Sequence, residues 1–362
     1  MDFNFSEEQQ TVADLATRIM GDRLNTERLR EVEEQLDWFD QSLWAELAEA
    51  GLTGVALDPD VGGAGLGIMG LVALLKVQGA HVAPLPVLPC GVAALAVDRH
   101  GTDVQRSQLL PSVANGSSVL TVAVQEFLDD RLRTPSTSFL DGALRGTKVV
   151  VEYATSASSL VVTAAGPNGP GLFLVDPTAS GVSMGLGRST RREPVWEVTF
   201  DETPADPLGE LGCVDWLVDH LTVGVCAIQL GVCEKALGMA ADYTREREQF
   251  GRPIPTFQAV TQRLADQFIN VGGIRLATLS AAWRLSEGLD AAEDLLIAKW
   301  WASDRATEVA HATQHCHGGM GVSMEYPLHR YTLWNKHLTT SLGAGTQTLR
   351  RLGRLLADTG SG

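Results

Sequence analysis

The densest run of chemically able side chains lies at residues 312–321, "ATQHCHGGMG". His311, His315 and His317 stand with Cys316 just ahead of Gly318, Gly319, Met320 and Gly321. That composition raises the question of a metal site, a phosphate loop or something else. His311 and His315 are four residues apart and share one helix face, a spacing that suits zinc. No acidic third ligand stands at a recognisable spacing, so no metal ligand set is assigned. No strand precedes the glycines, which argues against a nucleotide loop of the strand–turn–helix kind. The residues of this stretch alone leave its role open.

The whole chain has to position that stretch. Its 362 residues are long enough for about two or three domains. Apolar residues make up 44% and charged residues 20%, the balance of a soluble globular protein. The net charge of −16 is spread along the chain and repels polyanions, so nucleic acid is not an expected partner. Five cysteines at irregular spacing, with no CxxC, fit reduced thiols in a cytoplasmic protein. The N-terminus "MDFNFSEEQQ" is acidic and polar, unlike a signal peptide. The longest apolar run, 221–233, is too short to cross a bilayer, so no membrane segment is expected.

Residues 1–117 read as helical. Ser6 is a candidate N-cap, and Val12, Leu15, Ile19 and Met20 share one stripe. A further helix within "DQSLWAELAEAGLTGVALD" stops near Gly51. A glycine-rich loop follows at 59–67, and prolines break the helices again at 83–89. Residues 118–208 carry β-rich runs, "VLTVAV", "KVVVEY", "SLVVTA", "GLFLVD" and "VWEVTF", separated by turns. Helices return over about 221–246, from near 257, over about 290–316 and over about 344–358. In the second of these, Val260, Leu264, Phe268 and Val271 form the apolar stripe. The expected class is α+β: an N-terminal helical domain (1–117), a middle antiparallel β domain (118–208) and a C-terminal four-helix-bundle domain (209–362).

At 245–267, "REREQFGRPIPTFQAVTQRLADQ", the chain resembles the acyl-CoA dehydrogenase family. Arg247, Phe250, Gly251, Pro253, Ile254, Phe257, Gln258, Leu264, Ala265 and Asp266 match its motif residue by residue. "HGGMGVSMEYPLHRY" (317–331), the opening "DFNFSEEQQ" and "LPSVANG" are similar to the family as well. The resemblance spans essentially the whole chain and is strongest after residue 220. It implies FAD as cofactor and oxidation of an acyl-CoA thioester to the 2,3-enoyl thioester. A carboxylate removes the α-proton while the flavin takes the β-hydride, and an electron-transfer flavoprotein accepts the electrons. It also implies that FAD lies across a subunit interface. One subunit holds the ring and the base; its neighbour holds the ADP end.

On that resemblance Arg247 meets the FAD pyrophosphate, a role its planar fork of donors suits. Outside the motif it would read as a surface arginine in the charge cluster 245–248. Phe250 maps near the adenine and ribose, against the plainer reading of core packing. Gln249 and Gln258 are polar contacts to the cofactor or solvated positions. The family carries Gln three residues before Gly-Gly. Here that place holds His315, and Gln314 is one place early. Either His315 donates to the ADP end or the register shifts. Gly319 is where backbone approaches the cofactor.

The departures fall on the ring side. The usual catalytic Glu precedes Gly-Thr, and this chain has Ala344 there, before Gly345 and Thr346. A methyl group takes no proton, so no catalytic residue is assigned. A minority of the family carry the base near the start of the helix expected at 221. Asp219 and His220 are out of register with it and read as N-cap or first-turn charges. In the middle domain only Glu126 of the family's flavin-site motif is clearly kept, and the flavin-flanking strand reads "KVVVEY". The pattern resembles actinobacterial heteromers of two related chains that act on steroid side chains, with the catalytic Glu on the partner. A bulky acyl-CoA, such as a sterol side-chain thioester, is the implied substrate. Two alternatives stay open: a self-sufficient homotetramer using Asp219 or Glu126 as base, and a non-redox assembly or ligand-binding protein on the same fold.

Overall fold

A computed structural model describes residues 4–209 and 213–359. Asp2 and Phe3 of the opening motif, residues 210–212 near the start of the expected third domain, and residues 360–362 lie outside the described residues. The chain divides into two compact units: residues 6–74 with 84–221, and residues 75–83 with 222–362 and the N-terminal end.

The first unit begins with helices α1 (Glu7–Arg23), α2 (Thr26–Glu33) and α3 (Gln41–Glu49). The helix α4 (Gly67–His81) follows, with its last turns in the second unit. Then come α5 (Val87–His100) and α6 (Asp103–Ala114). Ser6 caps α1 in a capping box: its hydroxyl accepts from Gln9 N–H, and the Gln9 side chain returns to Ser6 N–H. Thr102 and Gln105 repeat the device on α6. Val12 and Met20 of the expected stripe are buried, while Leu15 and Ile19 are half-buried. The short α2, absent from the sequence expectation, is started by Asn25, whose side chain accepts from Arg28 N–H at 2.8 Å.

Eight strands follow: β1 (Leu120–Ala123), β2 (Ser138–Leu140), β3 (Ala143–Val151), β4 (Ser159–Gly166), β5 (Gly169–Val175), β6 (Val182–Arg188), β7 (Pro194–Pro204) and β8 (Asp206–Leu208). Their order is β6-β7-β3-β2-β4-β5-β8, with β1 alongside β4. The sheet is mixed rather than purely antiparallel, because β1 and β2 both run parallel to β4. Leu144, Val151, Leu160, Val162, Phe173, Val198 and Phe200 form its core. Between Lys148 and Val151 the β3–β7 register shifts by one residue, a β-bulge. Val150 sits in it at φ +56°, a left-handed conformation that is a genuine outlier for a β-branched residue. The strained segment lies within the strand that the resemblance sets beside the flavin.

The helix α7 (Cys213–Glu246) starts at Cys213 rather than near 221. Asp219 and His220 therefore lie inside it, past its first turn, and are not capping residues. Its 34 residues are long and apolar enough to cross a bilayer, which overturns the length argument made from 221–233. Of its most apolar stretch, 83% is buried within the protein, as in the core helix of a globular fold.

After α7 come the two-residue strands β9 (Glu248–Gln249) and β10 (Arg252–Pro253), then α8 (Gln258–Ser286) and α9 (Ala292–Trp300). A π-helical turn (Trp301–Arg305) leads into α10 (Ala306–His317), a 3₁₀ turn (Gly318–Val322), α11 (Leu328–Thr340) and α12 (Gly345–Thr359). In this second unit α4 and α7 cross backbone to backbone. A Cβ on Gly79 would strike Ile228 O at 2.0 Å, and one on Gly231 would strike Lys76 O at 1.9 Å. Buried Lys299 donates to Ser303 Oγ at 2.9 Å and to Leu338 O at 3.0 Å, so it ties the π turn to α11. The expected stripe of α8 is corrected. Val271 is buried with Ile274 and Leu279, but Phe268 is 74% exposed.

Candidate cofactor-binding site

Arg247 follows directly on α7, and its N–H donates to Tyr243 O at 3.0 Å. The chain then turns back through a hairpin in which Gln249 pairs with Arg252. Phe250 (φ +54°) and Gly251 (φ +76°) are its two central residues, and positive φ at both is the signature of a type I′ turn. Glycine meets that demand without strain; phenylalanine does not. Phe250 is also 92% exposed, so core packing does not account for it. Its ring forms a T-shaped pair with Phe257, 6.0 Å between centroids, and the Arg252 guanidinium lies 4.1 Å over Phe257. The Gln249 side chain folds back onto Glu248 O at 2.7 Å. Gln258 is exposed at the first position of α8, whose N-terminus has no side-chain cap.

The glycine turn sits at the end of α10. His311 and His315 are exposed on that helix, whereas His317 is buried. Among the described residues no three His, Cys, Asp or Glu side chains come together to hold a metal ion. Gln314 points into the turn and donates to Gly321 O at 3.3 Å, so the carboxamide one place early braces the loop and leaves His315 on the surface. The three glycines differ in what requires them. Gly318 has φ +57°. A Cβ on Gly321 would come within 2.5 Å of Gln314 O. A Cβ on Gly319 would meet nothing within 4 Å, so among the described residues nothing requires glycine there and its backbone stays open to approach.

Ala344 stands immediately before α12. Its N–H donates to Gln347 Oε1 at 2.9 Å and its carbonyl accepts from Thr348 Oγ1 at 3.1 Å. This is half of a capping box, with a methyl where an N-cap acceptor would be. Glu126 is occupied otherwise than as a base. It accepts from Ser136 N (2.7 Å), Ser136 Oγ (2.6 Å), Thr137 N (2.8 Å), Thr137 Oγ1 (2.7 Å) and Lys148 Nζ (2.8 Å). Burial alone would raise its pKa; Lys148, Ser136 and Thr137 outweigh burial and hold it at about 2. A carboxylate so held is a poor proton acceptor. Asp219 is engaged by Arg133, whose Nη2 lies 2.5 Å from Oδ1.

The strand expected to flank the flavin ring is closed off at its end. Arg191 pairs with Glu152 at 2.6 Å and with Glu193, and Tyr153 donates to Glu193 Oε1 at 2.8 Å. Arg191, Glu193 and Tyr153 are all buried. Burial raises the Glu193 carboxyl to about 7, against the pull of Arg191.

The family model for the acyl-CoA dehydrogenase N-terminal domain matches residues 6–117, and that for the acyl-CoA dehydrogenase C-terminal domain matches residues 213–355. The chain belongs to the acyl-CoA dehydrogenase family. These are FAD-dependent oxidoreductases. The chain is 35% identical to the acyl-CoA dehydrogenase FadE27 of Mycobacterium tuberculosis, over 99% of this chain and 100% of that one. Two solved complexes contain similar chains. The Tcur3481–Tcur3483 steroid acyl-CoA dehydrogenase matches at 44% identity and TM-score 0.94, over 98% of this chain and 99% of the other. The ChsE4–ChsE5 complex from Mycobacterium tuberculosis matches at 35% identity and TM-score 0.94, over 99% of each chain.

For an acyl-CoA dehydrogenase the donor set divides cleanly. FAD's adenosine diphosphate half is an anion with a flat apolar base. An exposed Arg247, an exposed Phe250 ring and the open backbone at Gly319 fit it. Within one unit Ala344 offers no base, and within the other Glu126 is bound to Lys148 and Glu152 and Glu193 are paired with Arg191. Gln314 stood in the sequence as one place out of register, and Lys148 stood there without an assigned role. Lys148 carried a signal, a lone lysine opening the apolar run "KVVVEY", since a buried lysine requires a carboxylate partner.

Proposed function

We propose that this chain is the base-less subunit of a heteromeric FAD-dependent acyl-CoA dehydrogenase. It reads as three domains, 1–117, 118–208 and 209–362. Arg247, Phe250 and Gly319, with Gln249, Gln258 and His315, donate contacts to the ADP half of a flavin whose ring lies in a homologous partner. The partner supplies the catalytic Glu. The flavin accepts the hydride from the β-carbon of the acyl-CoA, and an electron-transfer flavoprotein takes the electrons onward. A sterol side-chain thioester in the cytoplasm is the substrate class favoured by the steroid relatives. The observation that carries the reading is Ala344, a methyl at the base position in a chain whose ADP-side motif is intact. The engagement of Glu126 and Asp219 by Lys148 and Arg133 argues against a self-sufficient homotetramer.

The assignment of the base is testable in the complex. Replacing the partner's Glu before Gly-Thr with Gln lowers turnover by roughly 10³-fold while flavin stays bound. Asp219→Asn in this chain changes turnover less than about twofold, because its carboxylate is engaged by Arg133 and takes no proton from substrate. The reverse pattern, loss with Asp219→Asn and tolerance in the partner, contradicts the reading.

A further inference from the structure

We propose that His317 is a positioning residue that joins the two halves of the ADP-side grip, the Arg247 hairpin and the Gly318–Gly319 turn. The proposal rests on the reading above, that this chain holds the ADP half of a flavin, and adds how the two contacting segments keep their spacing.

His317 is the last residue of α10 and is 2% exposed. Its Nδ1 lies 2.7 Å from Thr313 O and its Nε2 lies 3.1 Å from the Tyr326 hydroxyl. A carbonyl oxygen only accepts, so Nδ1 carries the proton. In the neutral ring Nε2 is then the acceptor and Tyr326 the donor. Burial lowers the His317 pKa and so supports the neutral form. The Tyr243 ring stacks on the imidazole at 4.4 Å and 26°, and the edge of Tyr326 meets Tyr243 at 6.3 Å.

These contacts tie three segments to one ring. Thr313 belongs to α10, which delivers the glycine turn. Tyr326 belongs to the stretch leaving that turn. Tyr243 belongs to the end of α7, and its carbonyl receives the Arg247 N–H. The imidazole therefore bridges the root of the hairpin and the root of the turn. A dinucleotide gripped at pyrophosphate and adenosine needs both roots at a fixed separation, and fixing that separation beforehand reduces the ordering cost of binding. The plainer reading, a core histidine filling space beside two tyrosines, predicts no link between its hydrogen bonds and cofactor affinity.

The experiment uses the heteromeric complex and measures the FAD dissociation constant by flavin fluorescence on release. ADP alone serves as a competing probe. His317→Phe keeps a ring against Tyr243 and deletes both hydrogen bonds. Tyr326→Phe deletes one hydroxyl and leaves the fold intact. Each weakens FAD about tenfold, the scale of one lost hydrogen bond. The double variant is no weaker than His317→Phe alone, because both remove the same link. Turnover at saturating FAD stays within about twofold, since neither group touches the reacting atoms. Nitrogen NMR shows His317 protonated at Nδ1. Unchanged FAD affinity in both single variants, or additive losses in the double variant, overturns the proposal. Arg247→Gln separates the two statements. If it weakens FAD while His317→Phe and Tyr326→Phe do not, only the bridging role falls. If it leaves FAD affinity unchanged, the ADP-side reading falls and takes this proposal with it.

Discussion

Arg247→Gln in the assembled complex weakens FAD binding by on the order of 100-fold, so the purified variant loses its flavin on gel filtration. The size follows from what is removed: charge-assisted hydrogen bonds to phosphate are each worth about 1.5–3 kcal/mol. Arg247→Lys recovers only part of the loss, because an ammonium is a point charge and cannot present a planar pair of donors. Folding of the chain is nearly indifferent to both changes. Arg247 is exposed, and among the described residues its guanidinium forms no ion pair within the chain. Thermal unfolding of Arg247→Gln thus shifts by less than about 0.5 kcal/mol. Equal losses of stability and of flavin would mean that Arg247 acts on the fold and not on the cofactor.

The largest effect on stability is expected at Glu126. Glu126→Ala destabilises the chain by about 3–5 kcal/mol, the penalty for leaving a buried charge without its partner. Lys148 is fully buried, and among the described residues it donates, besides Glu126, to the neutral acceptors Val124 O and Thr163 Oγ1. The two partners gain unequally. Burial pulls Lys148 down to about 8 despite Glu126, whereas Glu126 is held at about 2, below its ordinary 4.5. The favourable side is therefore the carboxylate with its five donors, and the lysine contributes its charge at a cost. Because the folded pKa of Glu126 lies below the unfolded one, its stabilisation is complete above about 4.5 and fades as pH falls toward 2. Denaturant titrations at pH 3 and pH 6 check this: the wild-type chain is weaker at the lower pH, and Glu126→Ala lacks that component. Lys148→Met added to Glu126→Ala restores much of the loss, since an apolar side chain leaves no charge unpaired.

How far the sequence reached depended on where burial was apolar. α1 announced itself through Ser6 and its apolar stripe, β5 through an unbroken apolar run, and β4 and β7 through runs interrupted only by Thr163 and by Glu197 and Thr199. α11 did not, because His329, Arg330, Asn335 and His337 are among its buried residues, and polar residues on an inner face erase the hydrophobic period. β6 alternates Val182, Met184 and Leu186 with Ser183, Gly185 and Gly187, but its two glycines read as turn residues and hide the strand. The parallel pairing of β1 and β2 with β4 joins distant segments, which local pattern does not encode. Phe268 teaches a different lesson. Helical spacing marks an apolar face but does not say what covers it, and α8 carries Phe268, Ile269, Leu276 and Trp283 exposed on this chain. Apolar surface left open on one chain suits a subunit more than a monomer. At the candidate site the two matching segments point to Arg247, Phe250 and Gly319. It did not tell Gln314 from His315, because a one-residue shift in register decides which of them turns inward.

The central claim is that this chain holds half of a flavin site whose ring and base lie elsewhere. The most direct measurement is the flavin content and acyl-CoA dehydrogenase turnover of the chain purified alone, compared with the chain purified together with its Glu-bearing homologue. The chain alone is expected to hold no flavin and show no turnover, and the complex to hold one FAD for every two chains with full turnover. A chain that alone retains one FAD per subunit and oxidises an acyl-CoA would contradict it.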